Sequence, residues 1–130
     1  MTKRAISTDA APKAIGPYSQ AIVAGDLVFV SGQAGIDPAT GAVAEGIEAQ
    51  AEQALRNVAA ILEAAGCSMA DVVKTTLWLT DAAHFTLVNT IYARHLPEPA
   101  PARSTPILAA LPRGLLISIE AIAVKPTSAG

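Results

Sequence analysis

Glu120 is the residue of this 130-residue chain whose surroundings most constrain its chemistry. It lies inside Leu115-Leu116-Ile117-Ser118-Ile119-Glu120-Ala121-Ile122-Ala123-Val124, a run in which Ser118 is the other polar side chain. A carboxylate among apolar neighbours either finds a partner or has its pKa raised towards neutrality, and a raised pKa suits a general acid or base. A strand carboxylate turned to water fits the spacing equally well, because alternation groups Glu120 with Leu116, Ser118, Ile122 and Val124. Arg103, within Pro101-Ala102-Arg103-Ser104, begins the preceding extended run. A short turn would lay that run antiparallel to the Glu120 strand and bring the two charges together. The guanidinium is a planar fork matched to carboxylates. Arg103 therefore pairs structurally with Glu120, which the residues alone favour, or holds an acidic substrate while Glu120 works beside it.

The other candidate groups carry less. His84 and His95, the two histidines, fall on one expected helix roughly 16 Å apart at about 1.5 Å per residue, too far to share a metal ion. Each reads as a partly exposed helix residue, and no metal site is expected. Cys67, the single cysteine, allows no internal disulfide and reads as a small residue just past a helix end rather than as a nucleophile. Ser31-Gly32-Gln33-Ala34-Gly35 follows a strand without opening a helix, which sets aside a phosphate-binding reading.

The elements that must position these groups are legible from periodicity. Ala21–Ala24 and Leu27–Val30 flank Gly25-Asp26, a two-residue link with glycine first, the signature of a tight hairpin running on into Ser31-Gly32-Gln33. Ile47, Ala51, Ala54, Leu55, Val58, Ile61, Leu62 and Ala65 recur at helical spacing and Gly66 supplies the stop. Val72 to Thr80 alternates as a strand, with Val73, Thr75, Leu77 and Leu79 on one side and Lys74, Thr76 and Trp78 on the other; Trp78 reads as a packing or interface residue. Asp81 can cap a second helix with the stripe Phe85, Val88, Tyr92 and Leu96, ended by Pro97. Arg103 to Leu111 and Leu115 to Val124 form two further extended runs joined through Pro112-Arg113-Gly114, and fraying is expected from Met1 to about Ala14 and from Pro126 to Gly130. Two hairpins and two crossovers give an α+β layer, a mixed sheet with both helices on one face, in one domain spanning 1–130.

Composition says what covers the other face. Charged residues make up 15% of the chain, below the ~25% usual for soluble domains, so a second copy is the expected cover and a homo-oligomer follows. A net charge of -2 lacks the basic footprint of nucleic-acid binding, and the apolar runs are too short to span a membrane. Lys3 and Arg4 precede Ser7, Thr8, Asp9 and Pro12 rather than an apolar stretch, which makes the cytoplasm the default compartment.

Five short motifs then add what residue chemistry alone does not. Gly16-Pro17-Tyr18-Ser19-Gln20, Ser31-Gly32-Gln33, Val88-Asn89, Pro101-Ala102-Arg103-Ser104 and Ile119-Glu120-Ala121-Ile122-Ala123-Val124, in this order, resemble the reactive intermediate deaminase family (RidA, also called YjgF) from about Ile6 to Val124. The resemblance implies a chorismate-mutase-like α+β fold assembled as a homotrimer, with three clefts between neighbouring subunits. It implies that Arg103 pairs with the carboxylate of a small 2-imino acid, that Glu120 orients or activates the hydrolytic water, and that Tyr18, Gly32 and Asn89 line the same cleft. The implied reaction converts enamines and imines such as 2-aminoacrylate and 2-iminopropanoate to 2-keto acids and ammonia, with no cofactor. Thr105 stands where many members of the deaminase branch carry cysteine, and its hydroxyl can still bond a ligand. Pro106 removes a backbone N–H, and the segment from Tyr92 to Arg103 is shorter than in familiar members. The competing class is a metabolite-binding or regulatory protein that captures 2-keto acids in the same cleft without turnover. Ribonuclease activity, associated with some members, runs against the acidic balance and the absence of a basic aromatic stripe.

Overall fold

The computed structural model describes residues 2–126. Its strands are β1 (Lys3–Ile6), β2 (Ala21–Ala24), β3 (Leu27–Ala34), β4 (Val72–Leu79), β5 (Ala102–Ser104) and β6 (Ile117–Val124), and its helices α1 (Gly46–Ala64) and α2 (Phe85–His95). They form one six-stranded mixed sheet in the order β1-β2-β3-β6-β4-β5, antiparallel except where β5 joins β4 in parallel. A parallel neighbour requires a crossover, which α2 supplies between β4 and β5.

Both helices cover the same face, as expected. Val28 and Val30 of β3, Thr75, Leu77 and Leu79 of β4, and Ile117, Ile119, Ala121 and Ala123 of β6 are buried on that face. They pack with Ala51, Leu55, Val58, Ile61 and Leu62 of α1 and Val88 and Ile91 of α2. The opposite face carries Leu27, Phe29, Thr76, Trp78, Glu120, Ile122 and Val124 without a covering layer in one chain, and Phe29 is 40% exposed.

Four readings need correction. β1 forms where fraying was expected, because the edge of β2 offers Lys3–Ile6 a full ladder of partners. The fraying expected at Pro126–Gly130 falls from residue 127 onward outside the described residues. A register shift between Val72 and Lys74 turns Val72 into the core and leaves Val73 46% exposed, reversing its assigned side. The extended run from Arg103 to Leu111 is a strand over Ala102–Ser104 alone, with a single bridge from Ile107 to Leu79. Finally, β6 does not lie beside β5 but between β3 and β4. The reason is burial: β6 buries Ile117, Ile119, Ala121 and Ala123 on the helix-covered face and gains most from two neighbours, whereas a short strand with a charge and a following proline suits an edge.

Buried amides of α1 tie down the chain that leaves β3. Asn57, 0% exposed, donates from Nδ2 to the carbonyls of Ala34 and Ile36 at 3.0 Å each. Gln50 accepts from the Leu116 N–H at 2.8 Å and donates to the Ala44 carbonyl at 3.1 Å. Gly35 passes so close to α1 that a Cβ there would stand 2.6 Å from Gln50 Cβ and 2.8 Å from its carbonyl oxygen. Backbone cannot give way as a side-chain tip can, so Gly35→Ala is expected to cost about 1–3 kcal/mol of stability. Thermal unfolding checks this, and an unchanged melting temperature would show that the helix backs away freely.

Candidate active site

A β-bulge creates the first half of the site. Val30 pairs with Ala121 and Gln33 with Ile119, so Ser31 and Gly32 together oppose the single residue Glu120. Such a bulge bends its strand and re-aims side chains. Gly32 is needed there because a Cβ would lie 2.8 Å from the Ser118 hydroxyl. Beside it opens a cleft of about 460 Å³ whose walls include Tyr18, Gly32, Gln33, Leu111, Arg113 and Ser118. Tyr18 is half exposed and its hydroxyl accepts from the Ile15 N–H at 3.2 Å. The neighbouring motif residues hold backbone in place. Ser31 Oγ donates to the Ser19 carbonyl at 2.6 Å, and buried Gln20 accepts from the Thr8 N–H at 2.7 Å and donates to the Pro12 carbonyl at 2.8 Å.

Glu120 is half-buried on the uncovered face, opposite Thr76 of β4. Among the described residues the ion pairs are Arg56–Glu52 and His95–Glu52, so the pairing of Arg103 with Glu120 favoured by the residues alone is not formed. The topology explains why. Arg103 pairs with Thr75 and Glu120 with the next residue, Thr76, so the two side chains leave opposite faces of the sheet with β4 between their strands. Two strand spacings already separate their backbones by about 10 Å.

Arg103 is instead held from α2. Its guanidinium donates to Asn89 Oδ1 at 2.6 Å, and its central carbon lies 5.3 Å from the centroid of the Phe85 ring and 4.9 Å from that of Tyr92. The Tyr92 and Thr75 hydroxyls meet at 2.7 Å in the core. Thr105 follows β5, half-buried. The expected site residues thus fall into two groups: Tyr18, Gly32 and Glu120 around the bulge, and Arg103, Asn89 and Thr105 at the β5 edge. Phe85 and Tyr92 were assigned to the core stripe of α2. The signal that they do more was their four- and three-residue spacing around Asn89, which puts all three on one helix face.

Other titratable groups hold the scaffold together. His95 Nε2 meets Glu52 Oε1 at 2.9 Å and ties α2 to α1. Among the described residues no three of His, Cys, Asp and Glu are gathered so as to hold a metal. Cys67 is buried just beyond α1, and burial, reinforced by the nearby charge of Asp71, pushes its thiol above the ordinary value of 9.0. Burial likewise pushes the Tyr92 phenol above 10.0, against the opposing effects of its Thr75 hydrogen bond and of Arg103. Above these ordinary values the unfolded chain loses the protons first, so stability is intact below about pH 9 and falls as pH rises through the raised values. A melting temperature that declines between about pH 9 and 11, and declines less in Cys67→Ala, checks this. A flat profile would contradict it.

Residues 8–125 match the family described as Endoribonuclease L-PSP. The chain is 53% identical over 122 residues to Reactive Intermediate Deaminase A, chloroplastic, of Arabidopsis thaliana, covering 93% of this chain and 65% of that protein. It is 47% identical over 126 residues to the Homo sapiens 2-iminobutanoate/2-iminopropanoate deaminase, covering 96% and 92% of the two chains. Among solved structures it is similar to RidA from a Psychrobacter species, with a TM-score of 0.91 and 48% identity over 93% of this chain and 98% of that one. It is also similar to Escherichia coli TdcF with bound serine, with a TM-score of 0.90 and 40% identity over 95% and 99%.

Proposed function

The chain belongs to the endoribonuclease L-PSP family, which is the reactive intermediate deaminase (RidA, YjgF) family, and from that membership we propose that it hydrolyses 2-imino acids and their enamine tautomers to 2-keto acids and ammonia. The substrates are 2-aminoacrylate, 2-iminopropanoate and close homologues, and the chain acts as a single domain. The observation that carries this reading is Arg103: a guanidinium set by Asn89 and bordered by two rings, with no carboxylate of its own chain within ion-pair distance among the described residues. An oriented and unpaired arginine is suited to bind a planar carboxylate by two charge-assisted hydrogen bonds.

The two halves of the site lie on opposite faces of one sheet, so one copy cannot close it. A second copy laid against the uncovered face would bring its own Arg103 and Asn89 to the Tyr18, Gly32 and Glu120 of the first. Repeated in a ring, this gives a homotrimer with three clefts and a chorismate-mutase-like architecture. The exposed Leu27, Phe29 and Val124 are then its interior.

In such a cleft Arg103 anchors the substrate carboxylate and places the imine carbon near Glu120. Glu120 takes a proton from a water whose oxygen bonds to that carbon, giving a tetrahedral carbinolamine. Glu120 returns that proton to the nitrogen, completing the carbinolamine; it then takes the hydroxyl proton and passes it to the nitrogen as the C–N bond breaks, so that ammonia leaves and the former water oxygen remains as the keto group. Positioning plus general acid-base help of roughly 10² to 10⁴-fold suffices for imines that already react with water.

Cleavage of RNA, which the family's description carries, finds little support in a chain of net charge -2. No helix among the described residues is long and apolar enough to cross a membrane, and the cytoplasm is the compartment we assign. The test generates 2-aminoacrylate in situ with excess pyridoxal-phosphate-dependent dehydratase acting on serine and follows pyruvate. Acceleration by the protein, in a species with three times the 13.2 kDa chain mass by light scattering, is the expected result. No acceleration, with 2-keto acid binding retained, would replace the hydrolase by a binding protein.

A further inference from the structure

Phe85, Asn89 and Tyr92 occupy one face of α2 over two turns, about 10 Å along the axis. The Arg103 guanidinium sits against the middle of that stripe, bonded to Asn89 and nearly equidistant from the two rings, at 5.3 and 4.9 Å. Both distances are within the range at which a ring quadrupole attracts a cation. The two rings are held differently. Tyr92 is 6% exposed and fastened through its hydroxyl to Thr75, the residue that pairs with Arg103 across the β4–β5 ladder. The strand edge, the buried ring and the guanidinium therefore form one closed circuit of contacts. Phe85 is 43% exposed, so packing in the core is not what keeps an aromatic ring there.

We propose that Phe85 and Tyr92 are positioning residues that clamp the Arg103 guanidinium, fixing its plane so that the edge not bonded to Asn89 faces the incoming carboxylate. An arginine on an edge strand would otherwise give up its rotamer freedom on each binding event. The clamp removes that freedom in advance and so tightens binding without touching substrate. Tyr92 supplies the fixed wall, set by Thr75, and Phe85 the outer one. This inference rests on the reading of Arg103 as the carboxylate anchor.

The experiment titrates 2-oxobutyrate, a stable 2-keto acid, into wild type, Phe85→Leu, Tyr92→Leu and Tyr92→Phe, and measures imine hydrolysis at saturating substrate in the same preparations. Each leucine variant is expected to weaken 2-oxobutyrate binding by roughly fivefold, with turnover at saturation within about twofold of wild type. Tyr92→Phe, which keeps the ring but loses the Thr75 bond, is expected to bind between wild type and Tyr92→Leu; an affinity as weak as that of Tyr92→Leu would overturn the role of the ring. A general loss of structure would lower the melting temperature and turnover together and would not single out affinity. Phe85→Leu decides the matter if Tyr92→Leu folds poorly, because its site is exposed. Unchanged affinity in Phe85→Leu, in protein that still hydrolyses the imine, overturns the clamp and leaves the deaminase intact. Wild type that neither hydrolyses the imine nor binds 2-oxobutyrate overturns the anchor reading, and the clamp with it.

Discussion

Arg103→Ala is expected to lose at least about 10²-fold of the acceleration of imine hydrolysis, because it removes two charge-assisted hydrogen bonds to the substrate carboxylate that water cannot replace. The fold is expected to survive. Arg103 is half-buried on the edge strand β5, its polar contact is to Asn89, and its loss strands no buried carboxylate of its own chain. Arg103→Lys should recover a minor part of the activity, since an ammonium supplies the charge without the planar fork. The pyruvate-coupled assay reads both variants, and light scattering reports whether the assembly stays the same size. An Arg103→Ala protein that dissociates would return the residue to a structural role, pairing across subunits rather than with substrate. One that retains full activity would remove the carboxylate anchor altogether.

Glu120→Gln should lower turnover by roughly 10² to 10⁴-fold while leaving the affinity for 2-oxobutyrate close to that of wild type. The amide keeps the size and much of the hydrogen bonding of the carboxylate but cannot accept the proton that water must give up. The bulge strengthens this expectation. By setting Ser31 and Gly32 against the single residue Glu120, it bends β3 out of regular pairing opposite the carboxylate, beside the cleft lined by Gly32 and Ser118. The contrast between the two variants is itself informative: Arg103→Ala acts on binding and Glu120→Gln on the chemical step. If Glu120→Gln kept its turnover, backbone groups of the bulge would be the holders of water and Glu120 a bystander.

Much of this was open to sequence reasoning, and the parts that were not share a cause. The Gly25-Asp26 hairpin and the long amphipathic stretch stopped at Gly66 appear as expected, because each depends on residues within a few positions of one another, while Asp81 caps a short 3-10 turn, Ala82–His84, that leads into α2 rather than α2 itself. β1 was hidden in a polar N-terminal segment because its stability comes from β2. Gln50 and Asn57 were hidden in an otherwise apolar helix face, where polar residues give no warning that they bond to carbonyls more than twenty positions upstream or to an N–H sixty-six positions downstream. The five motifs carried the family, and similarity to known proteins agrees with them.

What the amino-acid sequence determined by itself is therefore most of the central elements, the α+β class, the family and the identity of the groups able to do chemistry. What only the tertiary structure decided is who stands beside whom. Periodicity assigns each side chain to one face of its own strand, but the order of strands is chosen by the burial of whole faces. β6, with one face wholly apolar and buried, takes the centre and leaves β5 at the edge. That choice puts β4 between Arg103 and Glu120 and turns them to opposite faces, so that two charges expected to pair are separated within one chain.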